Sequence, residues 1–340
     1  MSHHADHLVG RIGTSQEVIK GLDSRQMILD LPTPPEKQHA HLRQIRPLPP
    51  SLCALTVAQN TITYIVPETC RAIVTAYRDE ELEVPQTPAA WQEVARGFEE
   101  WWNFPHVTGA KDGKHIRLCN PSQGGMHYFN YKKFYYMILL AIADASYKFL
   151  YVDVGAIGSE SDVGVFVQTY LGEMLLKQEA NLSQPEALLG QAKGSPLDYF
   201  LVGDDALPLW NYLKKPFPQR AFPRRNTLYN SRLSRVRRTV ENTFRILAKK
   251  FQVFHTAICL KPDCVKTLVL ATCILHNIII RKSARRQEGD QELPTKHAII
   301  PGSWRSDLCL IAALPTVIIN TATRDAKEQR NILKEYFSSP

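Results

Sequence analysis

The chain has 340 residues, with 41 lysines and arginines against 33 aspartates and glutamates and a net charge of +8. That length is ample for a packed core, and the basic excess favours phosphate-bearing partners over acidic ones. Seven cysteines, an odd number without a CxxC pair, argue against a disulfide framework and a zinc cluster, so reduced thiols are expected.

Residues 1–60 read as an arm. The stretch DLPTPPEKQHAHLRQIRPLPP is too rich in proline for regular structure, His3, His4 and His7 read as an incidental polar tail, and no secretory signal is expected. Residues 61–105 read as helical: TITYIVPETCRAIVTAYRDEEL has apolar residues at helical spacing on both sides of Pro67. AWQEVARGFEEWWNFP follows, with Trp91, Val94, Phe98 and Trp101 on one stripe and Pro105 as its end. The period then changes. VTGAKDGKHIRLC reads as a strand, a bend containing Gly113 and a second short strand, and FYYMILLAIAD and YKFLYVDVGA read as a hairpin.

SDVGVFVQTYLGEMLLKQE reads as one helix with Val163, Phe166, Tyr170 and Met174 on a face, and YFLVGDDALPL as a buried strand ending in two acids. After a loop with Pro216, Pro218 and Pro223 come the arginine-rich helix YNSRLSRVRRTVENTFRIL and the helix CVKTLVLATCILHNIIIRK. The long apolar runs are interrupted by Asp144 and Lys148 or by His276 and Asn277, so they read as core rather than membrane spans. The order of elements predicts a mixed α/β fold.

Three acids lie at predicted strand ends or turns. Asp112 precedes Gly113, Asp162 closes GSESD before a helix, and Asp204 with Asp205 follows the strand YFLVG. Carboxylates gathered there suit hard divalent cations, although each alone reads as a turn former, a helix cap or a loop residue. Asp144 and Asp205 keep those ordinary readings. Glu241 is on the arginine-rich helix, where Leu233, Val236, Val240, Phe244 and Leu247 form a core stripe. Arg232, Arg235, Arg238, Arg245 and Lys249 fall on the opposite side, with Glu241 on the border. Arg237 is one turn before Glu241, so an ion pair contributing about 0.3–0.5 kcal/mol is the local reading of that acid.

The segments AWQEVARGFEEWWNFPHVTGAKDGKHIRL, FNYKKFYYMILLAIADASYKFLYVDVGAIGSESD, LVGDDALPL, YNSRLSRVRRTVENTFRILAKKFQVF and VLATCILHN together resemble the PIF/Harbinger transposases and the nucleases derived from them, within the DDE superfamily. TRDAKEQRNILKEYF resembles the family's terminal helix. The resemblance implies an RNase H-like, retroviral-integrase-like mixed sheet flanked by helices, with an endonuclease domain over residues 106–282 and a tail over 283–340. It implies that Asp112, Asp162, Asp204 and Glu241 bind divalent metal, Mg²⁺ or alternatively Mn²⁺, with Asp112, Asp204 and Glu241 catalytic. The arginine helix then reads as a DNA-phosphate surface formed by Arg232, Arg235, Arg237, Arg238, Arg245 and Lys249, with Arg237 holding Glu241 when metal is absent.

The family usually carries a helix-turn-helix ahead of this domain, whereas only NTITYIVPETC resembles its tail here, and Arg245 stands where a glycine is common. Expected function is therefore metal-dependent cleavage of DNA, with strand transfer as an extension. The alternatives are a catalytically silent DNA- or protein-binding module and cleavage of RNA. Expected partners are DNA, a separate Myb/SANT-like DNA-binding protein and further copies of the chain, with no membrane. Expected localisation is the nucleus, with the cytoplasm second.

Overall fold

The computed structural model describes residues 59–120, 128, 134–157, 162–188, 195–218, 224–286, 294–295, 298–299, 312–313 and 322–338. The arm expected over residues 1–60 lies almost wholly outside them. Two helices lead, α1 (Gln59–Glu81) and α2 (Pro88–Trp102). Thr87 starts α2 by accepting a hydrogen bond from the Ala90 amide at 3.2 Å, and Pro88 sits in the first turn, where its missing N–H costs nothing. Asn103, with φ 52°, ends the helix in a left-handed cap two residues before Pro105. The buried stripe is Trp91, Ala95, Phe98 and Trp102, while Trp101 is 44% exposed. Trp91 and Phe98 hold the expected places, while Ala95 and Trp102 replace Val94 and Trp101, because spacings of four, three and four fit the helix as well as three, four and three.

Strand β1 (Val107–Leu118) pairs antiparallel with β2 (Tyr135–Ala143), which pairs antiparallel with β3 (Phe149–Ile157). The bend expected at Gly113 does not occur. Gly113 lies opposite Leu140 in a register unbroken from Ala110 to Leu118, so Asp112 is inside a twelve-residue strand. The backbone freedom of glycine is used instead at Gly109, where φ is 157° and a Cβ would fall 2.5 Å from Ile142 Cγ2.

Helices α3 (Asp162–Gln168) and α4 (Tyr170–Leu176) replace the single helix expected there. Thr169 breaks it with extended backbone and caps α4, its hydroxyl accepting from the Gly172 amide at 3.1 Å. Tyr170 is consequently turned out, and Leu171 and Leu175 are turned in. The short strands β4 (Phe200–Val202) and β5 (Leu213–Lys214) complete the main sheet in parallel, giving the order β3-β2-β1-β4-β5.

The long helices α5 (Arg224–Lys250) and α6 (Pro262–Arg286) follow, joined by a 3₁₀ turn at Gln252–His255. A two-residue pair of strands, β6 (Pro294–Thr295) and β7 (Ala298–Ile299), stands apart from the main sheet, and β8 (Ala312–Ala313) pairs with β1. Helix α7 (Arg324–Ser338) closes the described chain, burying Leu333 and Phe337.

The result is a mixed sheet of five strands in sequence, with β8 added beside β1, and with helices on both faces. One core joins α1, α5, α6 and α7 to the sheet through residues such as Phe104, Ile116, Leu139, Val202, Phe244, Leu268 and Phe337. The other joins α3 and α4 to the opposite face through Ile138, Leu140, Ile142, Phe166 and Leu201. α6 is long and apolar enough to cross a membrane, yet Val265, Leu268, Val269, Thr272 and His276 are buried against the rest of the fold.

The reduced-thiol expectation is corrected at one pair: Cys119 and Cys259 form a disulfide. They are 140 residues apart in sequence, but the segment around Ile258 runs beside the end of β1, with Cys119 N–H donating to the Ile258 carbonyl at 3.0 Å. Cys70, Cys264 and Cys273 are free.

Candidate active site

Alternation along β1 sends Ala110, Asp112, Lys114, Ile116 and Leu118 to one face. That face meets α5: Ala110, Ile116 and Leu118 share a core with Phe244, and the Lys114 ammonium lies 5.7 Å from the Phe244 ring centre. Strand β4 runs parallel to β1 with Ala110 opposite Val202. Asp112 lies two residues beyond that last pair on β1, and Asp204 lies two residues beyond it, past the end of β4. The β1 edge is taken up again further along by β8, opposite Lys114 and His115. Asp112 therefore sits in the interval between β4 and β8.

Asp204 is drawn into a charged cluster. Burial pushes its carboxyl pKa up, Lys111 and Arg237 pull it down, and Asp112 and Asp205 push it up again. Its Oδ1 is buried and has no hydrogen-bond partner among the described residues. Such an atom normally costs a folded protein about 1–3 kcal/mol, so an oxygen left this way suits a ligand. Asp205, by contrast, is exposed, as the ordinary reading of it requires.

Glu241 enters from α5, one turn before Phe244. Its Oε1 is 3.5 Å from Arg237 Nη2, the pair that the local sequence reading expected, and both side chains are partly buried. Arg237 thus touches Glu241 and also acts on Asp204, which links the helix to the strand ends. Asp112 has its own cation, Lys114, at 3.2 Å. The backbone of Asp162 opens α3, and its side chain lies outside the described residues. No three histidine, cysteine, aspartate or glutamate side chains converge as a ready-made metal site among the described residues. Asp112 acts electrostatically on Asp204, and Arg237 acts on Asp204 while pairing with Glu241.

The arginine helix is less uniformly exposed than its sequence implied. Leu233, Val236, Val240, Phe244 and Leu247 are buried as the stripe required. Arg235 and Arg245 face solvent, while Arg237, Arg238 and Lys249 are half-buried. Arg232 departs most: it donates to the Asn103 carbonyl at 3.2 Å and lies 4.6 Å from the centre of the Phe337 ring. It fastens α7 to α5, a role invisible without knowing that α7 folds back onto this helix.

Three lysines beside the acids were missed. Lys111 acts electrostatically on Asp204, Lys114 pairs with Asp112, and Lys215 donates to the Asp205 carbonyl at 3.2 Å. The i to i+2 relation of Asp112 and Lys114 would have revealed the second, had AKDGKHI been read as unbroken strand.

With this geometry in hand, the class is clear: residues 111–277 match the DDE superfamily endonucleases, and this segment is a DDE superfamily endonuclease domain. The match contains β1 from Lys111, the hairpin, α3 to α5 and most of α6. The chain is 26% identical over 228 residues to "Putative nuclease HARBI1" of Rattus norvegicus and 25% identical over 228 residues to its Homo sapiens counterpart. Each alignment covers 66% of this chain and 60% of the relative. "Protein ALP1-like" of Arabidopsis thaliana is 24% identical over 229 residues, covering 66% of this chain and 54% of its own length. The chain thus spans about three-fifths or less of these relatives. No solved structure matches.

Proposed function

We propose that the protein is a divalent-metal-dependent DNA endonuclease of transposase descent, with an RNase H-like catalytic core. The observation that carries this reading is the electrostatic coupling of Asp112, within β1, to Asp204, just past the end of the neighbouring parallel strand β4, with Asp204 Oδ1 unpartnered among the described residues and Arg237 acting on Asp204 while pairing with Glu241. Carboxylate oxygens are the donors that Mg²⁺ and Mn²⁺ prefer, so the residues present fit such ions. Asp112, Asp162, Asp204 and Glu241 are the proposed ligands. When bound, a pair of ions supplies an activated water or DNA 3′-hydroxyl and stabilises the leaving oxygen.

The remaining work falls to the chain. Asp112, within β1, and Asp204, just past β4, provide a rigid base, because β1 is anchored in the first core and β4 in both. Phe244 and the rest of the α5 stripe fix the helix from which Glu241 projects. Arg235 and Arg245, with the half-buried Arg238 and Lys249, form the proposed DNA-phosphate surface; contacts of this kind position a duplex without reading its sequence. A Myb/SANT-like protein is the proposed source of sequence recognition and the nucleus the proposed site of action. The family match and the HARBI1 relatives support a nuclease reading over a binding module.

The test is nicking of supercoiled plasmid with and without Mg²⁺. Mg²⁺-dependent nicking is expected from the wild type and not from Asp112→Asn. Equal activity in the two proteins would refute the assignment.

A further inference from the structure

The described acids of the candidate site lie beside cations of the chain itself: Lys114 pairs with Asp112, Arg237 pairs with Glu241, and Lys111 and Arg237 both act on Asp204. The Lys114–Asp112 pair is the tightest of these contacts, at 3.2 Å, and its side chains are only 13% and 15% exposed. An ordinary surface pair here looks different: Lys177–Glu173 is more than half exposed on both sides. Water and salt screen such a surface pair but reach the enclosed one far less. Lys114 is also held over the Phe244 ring, so its position is set by packing from α5 as well as by the carboxylate. On the helix side, Arg237 Nη2 lies 3.5 Å from Glu241, while its Nε is buried without a hydrogen-bond partner among the described residues. Arg237 is thus incompletely satisfied where it stands.

A divalent ion entering this cluster meets the lysine and arginine in the space beside the oxygens it needs. Like charges at such separations repel strongly unless fully solvated. We propose that Lys114 and Arg237 are built-in counter-ions that hold Asp112 and Glu241 in the ion-free protein and must leave these carboxylates before divalent cations bind. They are positioning residues that set the affinity of the site for its ions. The proposal rests on the metal-dependent reading above.

The experiment is a titration of the full chain with Mn²⁺, followed by the loss of the free-ion electron paramagnetic resonance signal. Lys114→Gln and Arg237→Gln are compared with wild type and with Lys114→Arg, and thermal melts in chelator report folding. Lys114→Gln is expected to bind Mn²⁺ at least about tenfold more tightly, since one nearby positive charge is gone. Arg237→Gln is expected to shift in the same direction, and Lys114→Arg to match wild type. Should Lys114→Gln fail to fold, Arg237→Gln decides the matter alone.

Binding by the variant where wild type binds none would support the proposal in its strongest form. Equal or weaker binding by the folded glutamine variants would overturn it and leave the nuclease reading standing, as would tighter binding by Lys114→Arg. Failure of every protein to bind Mn²⁺ would overturn both.

Discussion

Two polar clusters on one sheet behave in opposite ways. At the β2–β3 turn, Asp144 Oδ1 accepts from the amides of Ser146 and Lys148 at 2.8 and 2.9 Å. Nearby, Asn277 of α6 accepts from the Phe149 amide at 2.8 Å and donates to the carbonyls of Phe149 and Glu81. His276 donates to the Tyr147 carbonyl at 2.8 Å. These groups are satisfied within the protein and join α1, the hairpin and α6. At the candidate active site, Asp204 Oδ1 has no such partner among the described residues, and Asp112 and Glu241 are paired with the cationic side chains Lys114 and Arg237. Closed polar networks hold a fold together, whereas open ones keep binding capacity at a cost in stability.

The contrast can be tested by substitution on each side. Glu241→Gln should lower Mg²⁺-dependent nicking by about 100-fold or more, with little change in melting temperature, since the Arg237 pair it removes is partly exposed and weak. Plasmid nicking and a thermal melt measure the two effects. Asn277→Ala should do the reverse: it strands the Phe149 amide and two carbonyl groups, at about 2–4 kcal/mol in denaturant unfolding.

His276 gives a pH-dependent effect. Burial lowers its pKa from 6.5 to about 4, so between these values the unfolded chain binds a proton that the folded protein refuses. Stability should therefore fall as pH drops from about 6.5 towards 4, by up to roughly 3 kcal/mol in the limit. His276→Gln should flatten that slope in unfolding curves collected across the range.

The comparison also shows what could be read from residues alone. The hairpin, β4, α5 with its stripe, α6 and α7 follow from periodicity or resemblance. The Glu241–Arg237 pair follows from helical spacing alone. The bend at Gly113 was misread because a glycine after an aspartate normally signals a turn, and only the unbroken pairing with β2 overrides it. The Cys119–Cys259 link, the packing of Arg232 under α7 and the lysines around Asp204 depend on long-range topology that no local pattern carries.

The most direct test is Asp204→Asn, measured for plasmid nicking and for stability in chelator at neutral pH. Because burial raises the Asp204 pKa, the ionised form is disfavoured in the fold; its cost is absent at low pH and grows as pH rises through the raised value. The amide should remove that cost, so the variant is expected to lose Mg²⁺-dependent nicking while melting no lower than wild type. A variant that still nicks DNA, or one that is inactive only because it is less stable, would contradict the account.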